Sequence, residues 1–128
     1  MKILGNGVDI VENKRIKKLT KNLSFIKRIY SNSEIKDSKK VKNKTNFFAK
    51  RFAAKEAFAK SIGTGFRNGL NFKDISVKKD NFGKPSIYIN DKIKKIIKKK
   101  FRHNRFKIFL SLADEKNHSI AFVIINRF

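Results

Sequence analysis

Apolar positions change spacing along this chain, and each change marks an element. Over Lys2–Val11 the pattern alternates: Leu4, Val8 and Ile10 fall on one face of a strand, Gly5, Gly7 and Asp9 on the other. The two glycines leave room above their face for another backbone or a ligand. Ile16, Leu19 and Leu23 follow at helical spacing, and Ser24–Tyr30 continues as a short amphipathic helix. Ser31–Glu34 reads as a turn and helix start. Its Ser and Glu have capping-box spacing, which gives Glu34 a structural task. Lys36–Thr45 is polar and basic, a solvated helix end or loop. The longest helical stretch is Phe47–Gly65, with alanine at 49, 53, 54, 57 and 59 and no proline or β-branched residue before Ile62. It stops at Gly63-Thr64-Gly65.

Beyond a loop over Phe66–Phe72, two strands are expected at Asp74–Lys79 and Ser86–Asn90. The turn between them contains Asn81 and Gly83. Asp91–Phe101 is a lysine-rich amphipathic helix with Ile93, Ile96 and Ile97 inward. A closing hairpin pairs Phe106–Ala113 with Ser119–Asn126. Its second strand is apolar on both faces, at Ile120, Phe122, Val123, Ile124 and Ile125. A strand exposed on one face would alternate instead. The strand therefore lies at a subunit interface, or is covered within one subunit by the long helix and the Asp91–Phe101 helix. The chain has no internal repeat and no linker, so residues 1–128 are expected to form a single α+β domain.

Two acids stand where apolar or neutral residues would be easier to accommodate. On the long helix, Phe48, Phe52 and Ala59 share one stripe, and Glu56 lies at its edge. A carboxylate there is costly unless a cation meets it. Glu56 and Lys60 form either a surface i, i+4 pair or a metal-binding carboxylate with a lysine one turn on for a phosphate. Asp9, near a strand's end, either favours the following helix N-terminus or holds a cation over it.

Composition narrows the chemistry. The chain has no cysteine and only two histidines, His103 and His118. Disulfides, a thiol nucleophile and zinc–cysteine sites are excluded, and a multi-histidine metal site is not expected. The N-terminus lacks a long apolar segment and no run is long enough to span a membrane, so a cytoplasmic protein without membrane contact is expected. The net charge of +23 calls for a polyanionic partner, or reflects a Lys-, Asn-, Ile- and Phe-rich composition such as an AT-rich genome produces. In that background the ten acids carry more information than the lysines.

The stretches GNGVDIVENKRI near the N-terminus and RFAAKEAFAKSIGTGF in the middle resemble the two signature motifs of the holo-[acyl-carrier-protein] synthase family. These are the small 4′-phosphopantetheinyl transferases. The resemblance runs through Tyr30–Glu34, Asp74-Ile75, Gly83-Lys84-Pro85 and the closing hairpin, and covers essentially the whole chain. It is looser over Lys36–Lys44 and Lys92–Arg105. It implies an α+β fold with a small antiparallel sheet packed on a long central helix. It also implies transfer of 4′-phosphopantetheine from coenzyme A to a serine of apo acyl carrier protein, in fatty acid biosynthesis.

By that resemblance Asp9 and Glu56 are ligands of Mg2+. Lys60 and Arg51 face coenzyme A phosphates, and Gly63, Gly65, Gly83, Lys84 and Pro85 are nucleotide-side contacts. Arg15 touches the carrier protein. A homotrimer with active sites between subunits is implied as well. Magnesium takes one or two carboxylates and completes its shell with phosphate and water. Lys60 would stabilise the leaving phosphate, and Glu56, directly or through a metal-bound water, would take the serine proton. Many family members carry Ser-X-Ser-His on the penultimate strand; here the residues are Ser111-Leu112-Ala113-Asp114.

Two other functions fit parts of the sequence. An RNA-binding module would suit the charge and the phenylalanines, but the lysines are spread over the chain and no RNP, KH or zinc-finger pattern occurs, so nucleic acid is not the expected partner. A broad-specificity phosphopantetheinyl transferase typically fuses two similar halves, which 128 residues do not provide.

Overall fold

The computed structural model describes residues 2–67 and 69–128. Asn68, inside the loop expected over Phe66–Phe72, lies outside the described residues. Strand β1 (Lys2–Glu12) leads into three short helices, α1 (Asn13–Leu19), α2 (Leu23–Ile29) and α3 (Asn32–Ser38), and then into the long helix α4 (Lys44–Ile62). A 3-10 turn (Phe72–Asp74) precedes the hairpin β2 (Ile75–Lys79) and β3 (Pro85–Ile89). Helix α5 (Asp91–Phe101) and the hairpin β4 (Phe106–Asp114) and β5 (His118–Arg127) close the fold. The strands make two antiparallel sheets, β1-β5-β4 and β2-β3.

Local chemistry explains the boundaries. Asn43 caps α4 by accepting the Asn46 N–H, and Gly63 ends the helix at φ 88°, a left-handed conformation that glycine adopts without strain. The capping box of α3 is present, with Ser31 and Glu34 bonding each other's backbone N–H. The helical pattern over Ile16, Leu19 and Leu23 is broken in two, because α1 ends at Leu19 and exposed Leu23 opens α2.

Helix α4 is buried on nearly every side, and its backbone lies directly on β1. A Cβ on Gly7 would come within 2.0 Å of Ala57 O, and one on Gly5 within 2.0 Å of Ser61 O. The open side of the glycine face is therefore filled by helix backbone. A bulge lies between Ile3 and Gly5; beyond it Gly7 and Val11 are buried while Val8 and Ile10 turn outward, and Leu4, at the bulge, stays half-buried against the core. Val8 and Ile10 are 54% and 59% exposed.

Strand β5 divides in the same way. Ala121, Val123 and Ile125 are buried on the α4 side, but Ile120 and Phe122 remain 36% and 41% exposed. Beside them across the sheet lie Val8, Ile10 and Phe109. Among the described residues, α4 and α5 thus do not cover both faces of β5; the outer face of this sheet is an apolar surface that they leave exposed. Phe25, a candidate for shared burial alongside Phe109 and Phe122, is already buried within the chain against Tyr30 and Phe52.

Candidate active site

The contact between α4 and β1 brings Asp9 to the C-terminal half of the helix. Lys60 Nζ donates to Asp9 Oδ1 at 2.9 Å and to Val8 O at 3.1 Å. Lys60 therefore pairs across to the strand and forms no ion pair with Glu56, which stands one turn earlier on its own helix. Glu56 is half-buried. Burial first, and then the negative charge of Asp9, hold its carboxyl above the ordinary range, against the pull of Lys60 and Arg15. Two carboxylates, a lysine and an arginine thus share one electrostatic neighbourhood. Gly63 and Gly65 continue from Lys60 at the helix end, both at positive φ and with open space beside them.

Next to this cluster is an open groove of about 710 Å3, walled by Phe25, Phe52, Phe66 and Phe72 and rimmed by Arg28 and Lys73. The Arg15 guanidinium lies 5.8 Å from the Phe52 ring centroid while acting on Glu56, so it stands between groove and acids. Phe52 and Glu56, four residues apart, are neighbours on α4.

Arg51 is not in this cluster. It precedes Lys60 by nine residues, about two and a half helical turns, which turns it to the other side of α4. It is buried, with its guanidinium 3.5 Å from the Phe47 ring centroid, and its Nε has no partner among the described residues. Glu34, Asp37 and Tyr30 act on it from one side, and Lys79, itself beside Lys50 and Asp114, from another. The Lys50 charge, then burial, then Arg51 lower the Lys79 pKa, and Asp114 opposes them. Asp114 accepts from Asn46 Nδ2 at 2.6 Å and lies 3.7 Å from Lys50 Nζ. Lys79 pairs with Pro85, so the turn carrying Gly83 and Lys84 belongs to this second cluster. Within one subunit the residues expected at the site thus fall into two groups: Asp9, Arg15, Glu56, Lys60, Gly63 and Gly65 on one side of α4, and Arg51, Gly83, Lys84 and Pro85 on the other.

Comparison with known proteins decides the family. The model of the 4′-phosphopantetheinyl transferase superfamily matches residues 5–123. The chain belongs to this superfamily. It is 61% identical over 127 residues to a holo-[acyl-carrier-protein] synthase of Pelagibacter ubique, covering 99% of each chain. The crystal structure of such a synthase from Neisseria meningitidis superposes with a TM-score of 0.89 at 36% identity, covering 98% of this chain and 100% of that one. A Bacillus anthracis synthase in complex with CoA (3′,5′-ADP) superposes with a TM-score of 0.82 at 33% identity, covering 98% of each.

Three features of this phosphopantetheinyl transferase fold do not follow from the sequence alone. The aromatic groove is assembled from α2, α4 and the segment after α4, which no single stretch reveals. The Asn46–Asp114 and Lys50–Asp114 contacts join positions distant in sequence. Lys55, beside Glu56, is fully buried against Glu34, where an alanine-rich helix gave no sign of an interior lysine. The glycines of β1 were the only available signal that a backbone would come so close.

Proposed function

We propose that the Asp9–Glu56–Lys60 cluster is the reaction centre of a magnesium-dependent holo-[acyl-carrier-protein] synthase. The chain transfers 4′-phosphopantetheine from coenzyme A to a serine of apo acyl carrier protein. The observation that carries the site is the convergence of two carboxylates, one of them resisting ionisation through burial and then through the charge of the other, beside a lysine that donates to the strand.

Such a pair fits magnesium. Its donors are oxygens only, and their mutual repulsion is what a divalent cation relieves. No group of three or more potential ligands occurs among the described residues. The remaining ligands would be substrate phosphates and water. When bound, the ion supplies charge stabilisation on the pyrophosphate oxygens.

The protein's own groups do the rest. Asp9 and Glu56 would hold the metal. Lys60, exposed at its tip, leaves Asp9 to meet the phosphate that departs. Glu56, directly or through bound water, takes the serine proton. Gly63 and Gly65 let substrate approach the helix end closely.

The aromatic groove takes the carrier protein, with Arg15, Arg28 and Lys73 meeting its acids. Arg51, Gly83, Lys84 and Pro85 serve the nucleotide of a neighbouring subunit's site. Their position across α4 from Lys60, and the uncovered apolar sheet face, support a homotrimer whose active sites each join two chains. The transfer serves fatty acid biosynthesis in the cytoplasm; no helix among the described residues is long and apolar enough to cross a membrane. The test is release of adenosine 3′,5′-bisphosphate from coenzyme A, which should require apo carrier protein and magnesium together. Release without either one would contradict the proposal.

A further inference from the structure

The Lys55–Glu34 pair takes no part in the chemistry above, yet it is among the most completely satisfied contacts in the molecule. Both side chains are fully buried, with Nζ 2.7 Å from Glu34 Oε1. The ammonium also donates to Phe72 O at 2.9 Å and to Ile75 O, so its three hydrogens all have acceptors. Glu34 in turn accepts the Ser31 N–H at 2.9 Å and the Val77 N–H at 3.0 Å. One pair thus ties together α3, α4, the 3-10 turn and β2.

Stability alone is a poor account of such a pair. Removing two charges from water costs about what their attraction returns, and well-packed apolar residues often do as well. Location is more informative. The two carbonyls held by Lys55 bracket the turn Phe72–Asp74. The Phe72 ring stacks on Phe66 at 3.6 Å and on Phe52 at 5.6 Å, and these three rings form a wall of the groove. Phe52 and Lys55 sit on the same helix as Glu56.

We propose that Lys55, held by Glu34, is a positioning residue for carrier-protein docking: it pins the Phe72–Asp74 turn, and with it the aromatic wall of the groove, to the helix that carries Glu56. The inference rests on reading the groove as the docking surface. It predicts that the pair sets carrier-protein affinity without touching the carrier protein.

Lys55→Met alone leaves Glu34 buried without its partner and is expected to be strongly destabilised. The decisive protein is therefore Lys55→Met/Glu34→Gln, in which both charges are gone at similar volume. Amide hydrogen exchange and calorimetric titration of apo carrier protein and of coenzyme A, each against wild type, are the readouts. In the folded double variant the amides of residues 72–75 should exchange about tenfold faster or more, while those of α4 keep their protection. The Kd for carrier protein should rise about tenfold and that for coenzyme A stay within about twofold.

A purely structural pair would lower the melting temperature and leave the two affinities in their wild-type ratio. That result overturns the proposal, as does wild-type protection at residues 72–75. A wild-type protein that binds no carrier protein at all would instead overturn the reading of the groove, and the exchange data would still report whether Lys55 holds the turn.

Discussion

Lys60 reaches from α4 to β1 and places its Nζ 2.9 Å from Asp9 Oδ1. The lysine tip is exposed and the aspartate mostly covered, so the pair is a contact that bound ions and phosphates can exchange. In the proposed mechanism Lys60 competes with a cation for Asp9 in the resting protein and meets phosphate during turnover. Lys60→Ala should bind magnesium slightly more tightly, by about twofold, since an exposed pair of this kind is worth roughly 0.5 kcal/mol. It should lose transfer by about a hundredfold or more, the scale for removing a charge that stabilises a transition state. Magnesium titration and steady-state kinetics on one preparation check both. Weaker magnesium binding with intact turnover would reverse the roles.

Glu56 gives the site a pH dependence of defined sign. Burial, and after it the charge of Asp9, raise its pKa above the ordinary 4.5. The folded chain thus keeps a proton that the unfolded chain has already lost. The stability this contributes is full below the unfolded pKa and disappears as pH rises through the folded one. With Glu56 as the proposed magnesium ligand, the metal would favour the ionised form, so its binding should strengthen over the same window and release a proton. The magnesium-induced rise in melting temperature should therefore grow as pH increases from about 4.5. In Glu56→Gln that rise should be absent, and without metal the variant should gain on wild type as pH increases. A magnesium effect independent of pH would exclude Glu56 from the metal.

Arg15 stands between the acids and the aromatic groove. Arg15→Glu should raise KM for carrier protein about tenfold, the cost of roughly 1.4 kcal/mol from a reversed charge at an interface. KM for coenzyme A should change much less. Kinetics with each substrate varied in turn will show it. An effect on coenzyme A alone would assign Arg15 to the nucleotide.

Much of the architecture could be read from local chemistry. The alanine run ending at Gly63, the Ser31–Glu34 capping box, the turn at Asn81 and Gly83 and the closing hairpin are each specified by residues within a few positions of one another. The acids at Asp9 and Glu56 were legible because a carboxylate beside a buried face needs an explanation. Which side of β1 meets the core was not. Alternation separates Val8 and Ile10 from Gly5 and Gly7, but it does not say which set is covered, and here the smaller set admits the helix backbone. The lysine pairings were equally hidden. Lys60 finds Asp9 rather than its helical neighbour Glu56, and Lys55 finds Glu34, through packing that brings distant segments together.

The outer sheet face offers a direct test of assembly. Val8, Ile10, Ile120 and Phe122 are exposed together, a surface that a chain carrying +23 would not be expected to leave to water. At moderate salt, where repulsion between chains is screened, sedimentation equilibrium should give three times the 14.9 kDa chain mass. Phe122→Glu should sediment as a single chain, retain its fold and lose transfer, because the Arg51 cluster then has no neighbouring site to complete. A wild-type monomer at micromolar concentration would contradict the shared site.

Every role proposed above serves one transfer, and mass spectrometry of the carrier protein reads it directly. Apo carrier protein incubated with coenzyme A, magnesium and this protein should gain one phosphopantetheine on a single serine. With Asp9→Ala or Glu56→Ala, each still folded, it should gain none. An unmodified carrier protein in the wild-type reaction, or full modification by either variant, would contradict the account.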